Sequence, residues 1–202
     1  MYLNFMQFIL FLFFCIYSNM SKYFSSDWHL SHTGVIKFSD RPFESIEQMD
    51  ETIITNIISP LKPKDEFFFL GDLSWSHETT FKFFERFPKD VKFHWILGNH
   101  EKGWEQFKKN CSSISSISET KIGDNSVILC HYPMITWNKS HYNSWQLFGH
   151  HHMKSNGWQE LENKVVGKAL NVNIEFHNYK PWSEEEIIEY MSHRQDNWDL
   201  IK

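Results

Sequence analysis

Five predicted strands in this sequence end in side chains of the types that bind metal ions. "SSDWH" supplies Asp27 and His29, "FFLGD" supplies Asp72, "WILGNH" supplies Asn99 and His100, "ILCH" supplies His131, and "LFGHHH" supplies His150 and His152. Carboxylate, imidazole and amide groups suit manganese, iron or zinc, so the chemistry on offer is that of a divalent cation. Taken singly, each residue has an ordinary explanation. Asn99 is a turn former, Asp72 a strand-end residue, and His131 ahead of Tyr132 and Pro133 could be a hydrogen-bonded core histidine. The joint pattern is what points to metal. In an extended segment residues i and i+2 face the same way, so Asp27 and His29 can grip one ion while Trp28 points elsewhere. His150 and His152 have the same spacing, which leaves His151 as the expected spectator. Gly71, Gly98 and Gly149 each precede a candidate ligand, where a residue without Cβ lets the chain turn tightly.

The elements needed to position these residues are legible. "SKYFSSD" reads as a strand, and Ser45 with Gln48 as a capping box opening a helix whose apolar face is Ile46, Met49, Ile53, Ile54 and Ile57. Pro60 ends that helix. "EFFFLGD" and "VKFHWILGNH" are apolar runs suited to strands buried on both faces, with a helix from about Glu78 to Phe87 between them. A weaker helix is expected near Trp104 to Lys109. Two strands joined across Gly123, Asp124 and Asn125 form a hairpin, the second ending at His131. "SWQLFGH" and "KALNVNIEF" add strands, and Ser183 with Glu186 opens a last helix. Strand and helix alternate, which gives an α/β protein whose strand ends converge on one crevice.

Bulk properties bound the rest. With 202 residues, 41% hydrophobic and 17% aromatic, the chain suits one globular domain. A formal charge of -5 lacks the basic footprint of a protein that binds long nucleic acids. Cys15, Cys111 and Cys130 are odd in number and have no C-x-x-C spacing, which argues against a disulfide framework or thiolate zinc site. A reducing, cytoplasmic compartment fits best. The apolar run Leu3 to Tyr17 would extend about 22 Å as a helix, short of a bilayer core of roughly 30 Å. Residues 1–19 are therefore read as an N-terminal extension, through an upstream start ahead of Met20, a signal or an anchor. Residues 20–202 form the domain, and membrane contact or secretion is expected only if residues 3–17 are retained as an anchor or signal.

The ordered series D-x-H, G-D, G-N-H-E, H, G-H-x-H across Ser26 to His152 resembles the calcineurin-like metallophosphoesterase superfamily. Residues 40–56 and 170–187 look like its small capless phage and bacterial members, which extends the likeness to about residues 21–190. The resemblance implies a four-layered αββα sandwich of two mixed sheets, with a dinuclear metal site at the strand C-terminal ends. It implies Asp27, His29, Asp72 and His152 on a first metal and Asp72, Asn99, His131 and His150 on a second, with Asp72 bridging. It further implies hydrolysis of phosphodiester or phosphomonoester bonds, with a metal-bridging hydroxide as nucleophile. His100 takes the family's catalytic position as acid or hydrogen-bond donor. His32 and Arg41 match family positions near the mouth, Arg41 with a bidentate phosphate contact in view. Trp28 stands where a small residue is common and is expected to pack, and Glu101 stands where aspartate is usual. The expected partner is a phosphoester, with nucleotides and short oligonucleotides among the candidates. A catalytically inactive scaffold of the same fold is the alternative.

Overall fold

The computed structural model describes residues 20–153 and 167–197. The apolar extension 1–19 lies outside them, and among the described residues no helix is long and apolar enough to cross a membrane. In chain order the elements are β1 Lys22–Ser25, α1 Thr33–Phe38, α2 Ile46–Ile58, β2 Glu66–Phe69, α3 His77–Arg86, β3 Lys92–Ile96, β4 Ser113–Ser115, β5 Ile117–Ile122, β6 Asn125–Cys130, β7 Trp145–Phe148, β8 Ala169–Asn171, β9 Trp182–Ser183 and α4 Glu184–Ser192. They build two mixed sheets flanked by helices, as the sequence led us to expect. One sheet runs β4-β3-β2-β1-β9, the other β5-β6-β7-β8.

Period-two alternation with both faces covered explains why Phe67, Phe68 and Phe69 of β2 are all apolar. Phe67 and Phe69 face Met49, Ile53, Phe83 and Phe93 on the helical side, where Trp28 also packs. Phe68 and Leu70 face the other way, toward Val127, Leu129 and Leu147 of the second sheet. Each such side chain taken out of water contributes about 1.5–3 kcal/mol. The parallel pairs Phe24↔Phe68 and Phe69↔Trp95 fix the register. The first sheet's strand ends therefore emerge at one edge.

Several local expectations change. Ser45 caps α2 by accepting from the Gln48 N–H, but the Gln48 side chain accepts from Glu44 N–H, one residue upstream of a closed capping box. The box at Ser183 and Glu186 is complete. Trp104–Asn110 is a 3-10 helix, starting from left-handed Gly103 with no side-chain cap. β4 was not foreseen, because its Ser-Ile-Ser sequence carries a single apolar residue. "KALNVNIEF" is a strand only to Asn171, after which the Asn173 side chain accepts from Glu175 N–H and turns the chain into a 3-10 helix, Ile174–His177.

That turn matters for the site. Ser26 just beyond β1 pairs with Asn173 just beyond β8, through Ser26 N–H to Val172 O at 3.2 Å and Ile174 N–H to Ser26 O at 3.2 Å. The two sheets are stitched together at the end where the polar residues collect.

Candidate metal centre

Beyond β1, the pairing with the β2 loop continues: Asp27 N–H donates to Gly71 O at 2.9 Å and His29 N–H to Asp72 O at 3.0 Å. The expected extended Asp27–His29 segment is not what brings that pair together. Asp27, His29, Asp72 and His150 all lie at positive φ, between 51° and 72°. Left-handed backbone is uncommon for any residue but glycine, even though aspartate and histidine adopt it more readily than most, so the surroundings must hold it here, at a cost of roughly 1–3 kcal/mol each. Each loop thus turns sharply to aim its side chain inward. Gly71, at φ +92°, is needed for both conformation and space, since a Cβ there would lie 2.6 Å from His131 Nδ1. Gly149 is needed for space, because a Cβ would meet the Asp27 carboxylate at 2.5 Å.

The converging side chains form two triads, Asp27 with His29 and His152, and Asp72 with His131 and His150. Within each, one donor atom per residue lies within 4.8 Å of the others. Asp72 Oδ2 lies between the groups, 3.6 Å from His29 Nε2 and 3.5 Å from His131 Nε2. Asn99 Oδ1 is 3.1 Å from His131 Nε2. Hydrogen bonds fix which ring nitrogen faces inward: His131 Nδ1–H donates to Leu70 O at 2.7 Å, and His152 Nδ1–H to Glu175 Oε1 at 2.7 Å. Both rings turn Nε2 toward the cluster, the outer-partner arrangement seen around ligating histidines.

Burial and mutual charge set the protonation of these groups. Burial pushes Asp27 up to about 6, against the pull of His131 and His152. Burial acts upward on Asp72 as well, yet the hydrogen bond and charge of His131 hold it down to about 2. His131 is itself raised to about 9, burial being outweighed by Asp72 and Asp27. Burial, then the charges of His131 and His151, takes His150 down to about 4. A proton on His131 therefore balances the buried carboxylates, and a cation bound there would displace it.

The triplet of histidines divides. His150 belongs to one triad and His152 to the other, while the His151 ring lies outside both. The His151 backbone is a brace, its carbonyl accepting from the Asn171 and Asn173 amides at 3.0 and 3.1 Å. His151→Ala should accordingly leave two metal equivalents per chain by elemental analysis.

Arg41 departs from expectation. It is not offered to a substrate: its side chain is fully buried, and its guanidinium donates to Glu175 Oε1 at 2.8 Å, Trp28 O at 2.7 Å and Asp27 O at 2.7 Å. Trp28 packs, as expected, against Phe67, Phe69 and Phe83. His32 lies at the mouth, its ring 4.2 Å from that of Trp75. His100 is more open, with 38% of its side chain exposed and Nε2 3.9 Å from Asp72 Oδ2.

Sequence reasoning missed Glu175 and the role of Glu101. Glu175 grips His152 and Arg41 while accepting from Met153 N–H at 3.0 Å. Glu101 accepts from Leu73 N–H at 2.9 Å and Gly98 N–H at 2.6 Å, tying the β2 and β3 loops together. Burial and the Asp72 charge push its carboxyl up to about 7. Its place after Asn99 and His100 was the available signal.

Two mixed sheets whose strand ends bring together two triads able to hold metal ions are the arrangement that the sequence resemblance led us to expect. The chain belongs to the calcineurin-like phosphoesterase family, whose model matches residues 20–198. It is 31% identical over 169 residues to the uncharacterized protein MJ1445 of Methanocaldococcus jannaschii, covering 82% of this chain and 88% of that one. It is also similar to the crystal structure of AQ665, a protein of unknown function from Aquifex aeolicus, at 26% identity and a TM-score of 0.69, covering 85% of this chain and 100% of that one.

Proposed function

We propose that this chain is a metal-dependent phosphoesterase that hydrolyses phosphodiester or phosphomonoester bonds with solvent as the nucleophile. The observation that carries the reading is the pair of triads meeting at Asp72 Oδ2. The residues fit a cation. Both ring nitrogens of His29 are buried with no hydrogen-bond partner among the described residues, a cost that ligation removes. Asp27, His29, Asp72 and His152 would hold one ion, and Asp72, Asn99, His131 and His150 the other. The nitrogen and oxygen donors suit manganese, iron or zinc.

When bound, such a pair supplies the charge that attracts a phosphoester and the acidity that makes water a nucleophile at neutral pH. The chain's own residues do the rest. Ser26 and His150 N–H orient the Asp27 carboxylate, the Ser26 hydroxyl at 2.5 Å and the amide at 3.1 Å. His100 Nε2 faces the same Asp72 oxygen from the solvent side, where it can donate a hydrogen bond to the phosphate or a proton to the leaving oxygen.

The test is hydrolysis of a generic aryl phosphodiester and of phosphomonoesters after reconstitution with defined metals. Bound metal and turnover are expected; neither metal nor turnover with added manganese would leave an inactive scaffold. His100→Ala should retain metal and lower kcat by roughly 10²–10⁴-fold, read by steady-state kinetics alongside metal analysis.

A further inference from the structure

Next to His100 lies a cavity of about 140 Å³ lined by Ser74, Trp75, His77, His100 and Lys102. Pockets for whole drug-sized ligands run to roughly 300 Å³ and above, so this one takes a single ring system. Two of its lining residues are already committed. Ser74 Oγ donates to Leu30 O and accepts from Ser76 N–H, and both His77 ring nitrogens are hydrogen-bonded, to Lys102 O and Gln106 Nε2. What is left to face an incoming molecule is therefore chiefly the Trp75 indole and the His100 imidazole, with Lys102 at the cavity's edge.

Trp75 is 52% exposed, yet its backbone is firmly held, its N–H donating to Leu30 O at 2.8 Å beside the Leu30↔Ser74 bridge. Its ring centroid lies 4.6 Å from that of His100 and 6.3 Å from that of His29, which puts an indole at the rim of the metal centre. A large apolar ring kept half in water on rigid backbone is a ready stacking platform, and it lies on the side where His100 would meet the leaving oxygen.

We infer that Trp75, with His100 and Lys102, forms a subsite for an aromatic ring on the leaving-group side of the scissile phosphoester. A nucleoside is the chemical class that joins such a ring to a phosphate. The inference rests on the proposed phosphoesterase activity and deepens it. Trp75 gives a sequence-tolerant face to any base.

The experiment compares, on the manganese-loaded full chain, the adenosine ester and the ethyl ester of the same phosphate, each with the parent and with Trp75→Ala. Taking the variant-to-parent ratio for each ester cancels the intrinsic reactivity of its leaving group. Expected is a loss of about tenfold in kcat/KM for the adenosine ester, through KM, with less than twofold for the ethyl ester and recovery in Trp75→Phe. Equal losses on both esters would make Trp75 a support for His100 and overturn the subsite; so would no loss on either. Calorimetric binding of adenosine 5′-monophosphate keeps the two readings separable. If no ester is turned over but the nucleotide binds about tenfold more weakly to Trp75→Ala, the subsite stands and the hydrolase reading falls. If neither turnover nor Trp75-dependent binding is seen, both fall.

Discussion

Asp72→Asn should lose metal at both positions, with affinity at each falling by more than the ~10–100-fold typical of removing an outer hydrogen-bond partner. The reason lies in how the carboxylate is already used. Its Oδ1 accepts from His100 N–H at 3.1 Å, and its Oδ2 faces His29 and His131. An amide placed here keeps its oxygen on the His100 N–H and turns its NH₂ toward the two imidazoles. A donor group without charge then stands where a shared ligand is needed. Asp27→Asn, whose carboxylate serves one triad, should weaken one ion far more than the other. Metal content by elemental analysis, with titration calorimetry of the stripped protein, separates the cases. Retention of either ion at parental affinity in Asp72→Asn would contradict the bridging assignment.

The donor types of this centre were legible because each follows a short apolar strand, and such strands are recognisable by composition alone. Their backbone was not. Alternation along an extended segment predicts that Asp27 and His29 share a face, whereas the chain reaches that result through two left-handed residues. No local pattern marks these left-handed histidines, because distant groups hold them: His29 N–H donates to Asp72 O and His150 N–H to the Asp27 carboxylate. Glu175 was hidden for a related reason. Val172, Ile174 and Phe176 alternate like a strand with Asn171, Asn173 and Glu175 on its polar face, which suggests solvent. In the fold that polar face turns inward, with Asn173 completely buried and Glu175 6% exposed. Nothing local announces it, because what they touch, His151, His152 and Arg41, lies 20 to 134 residues away in sequence.

Arg41→Ala should destabilise the protein by about 3–5 kcal/mol, the range for removing one partner of a buried ion pair. The Glu175 carboxylate is held well down, to about 2, by the hydrogen bond from His152 and the charges of Arg41 and His152 acting against burial. Without the guanidinium that buried charge is left with His152 and a single N–H. The carbonyls of Trp28 and Asp27 lose their donors at the same moment. Lysine cannot substitute, because one ammonium does not reproduce a fork that reaches a carboxylate and two carbonyls at once. Urea unfolding in chelator reads the loss free of the stabilisation that bound metal adds. A substrate-binding Arg41, as the sequence resemblance suggested, gives the opposite result: an unchanged unfolding midpoint and a raised KM. The buried network predicts a midpoint shifted strongly downward with KM at saturating metal within about twofold, because Arg41 acts on substrate only through the loop that carries Asp27 and the glutamate that orients His152.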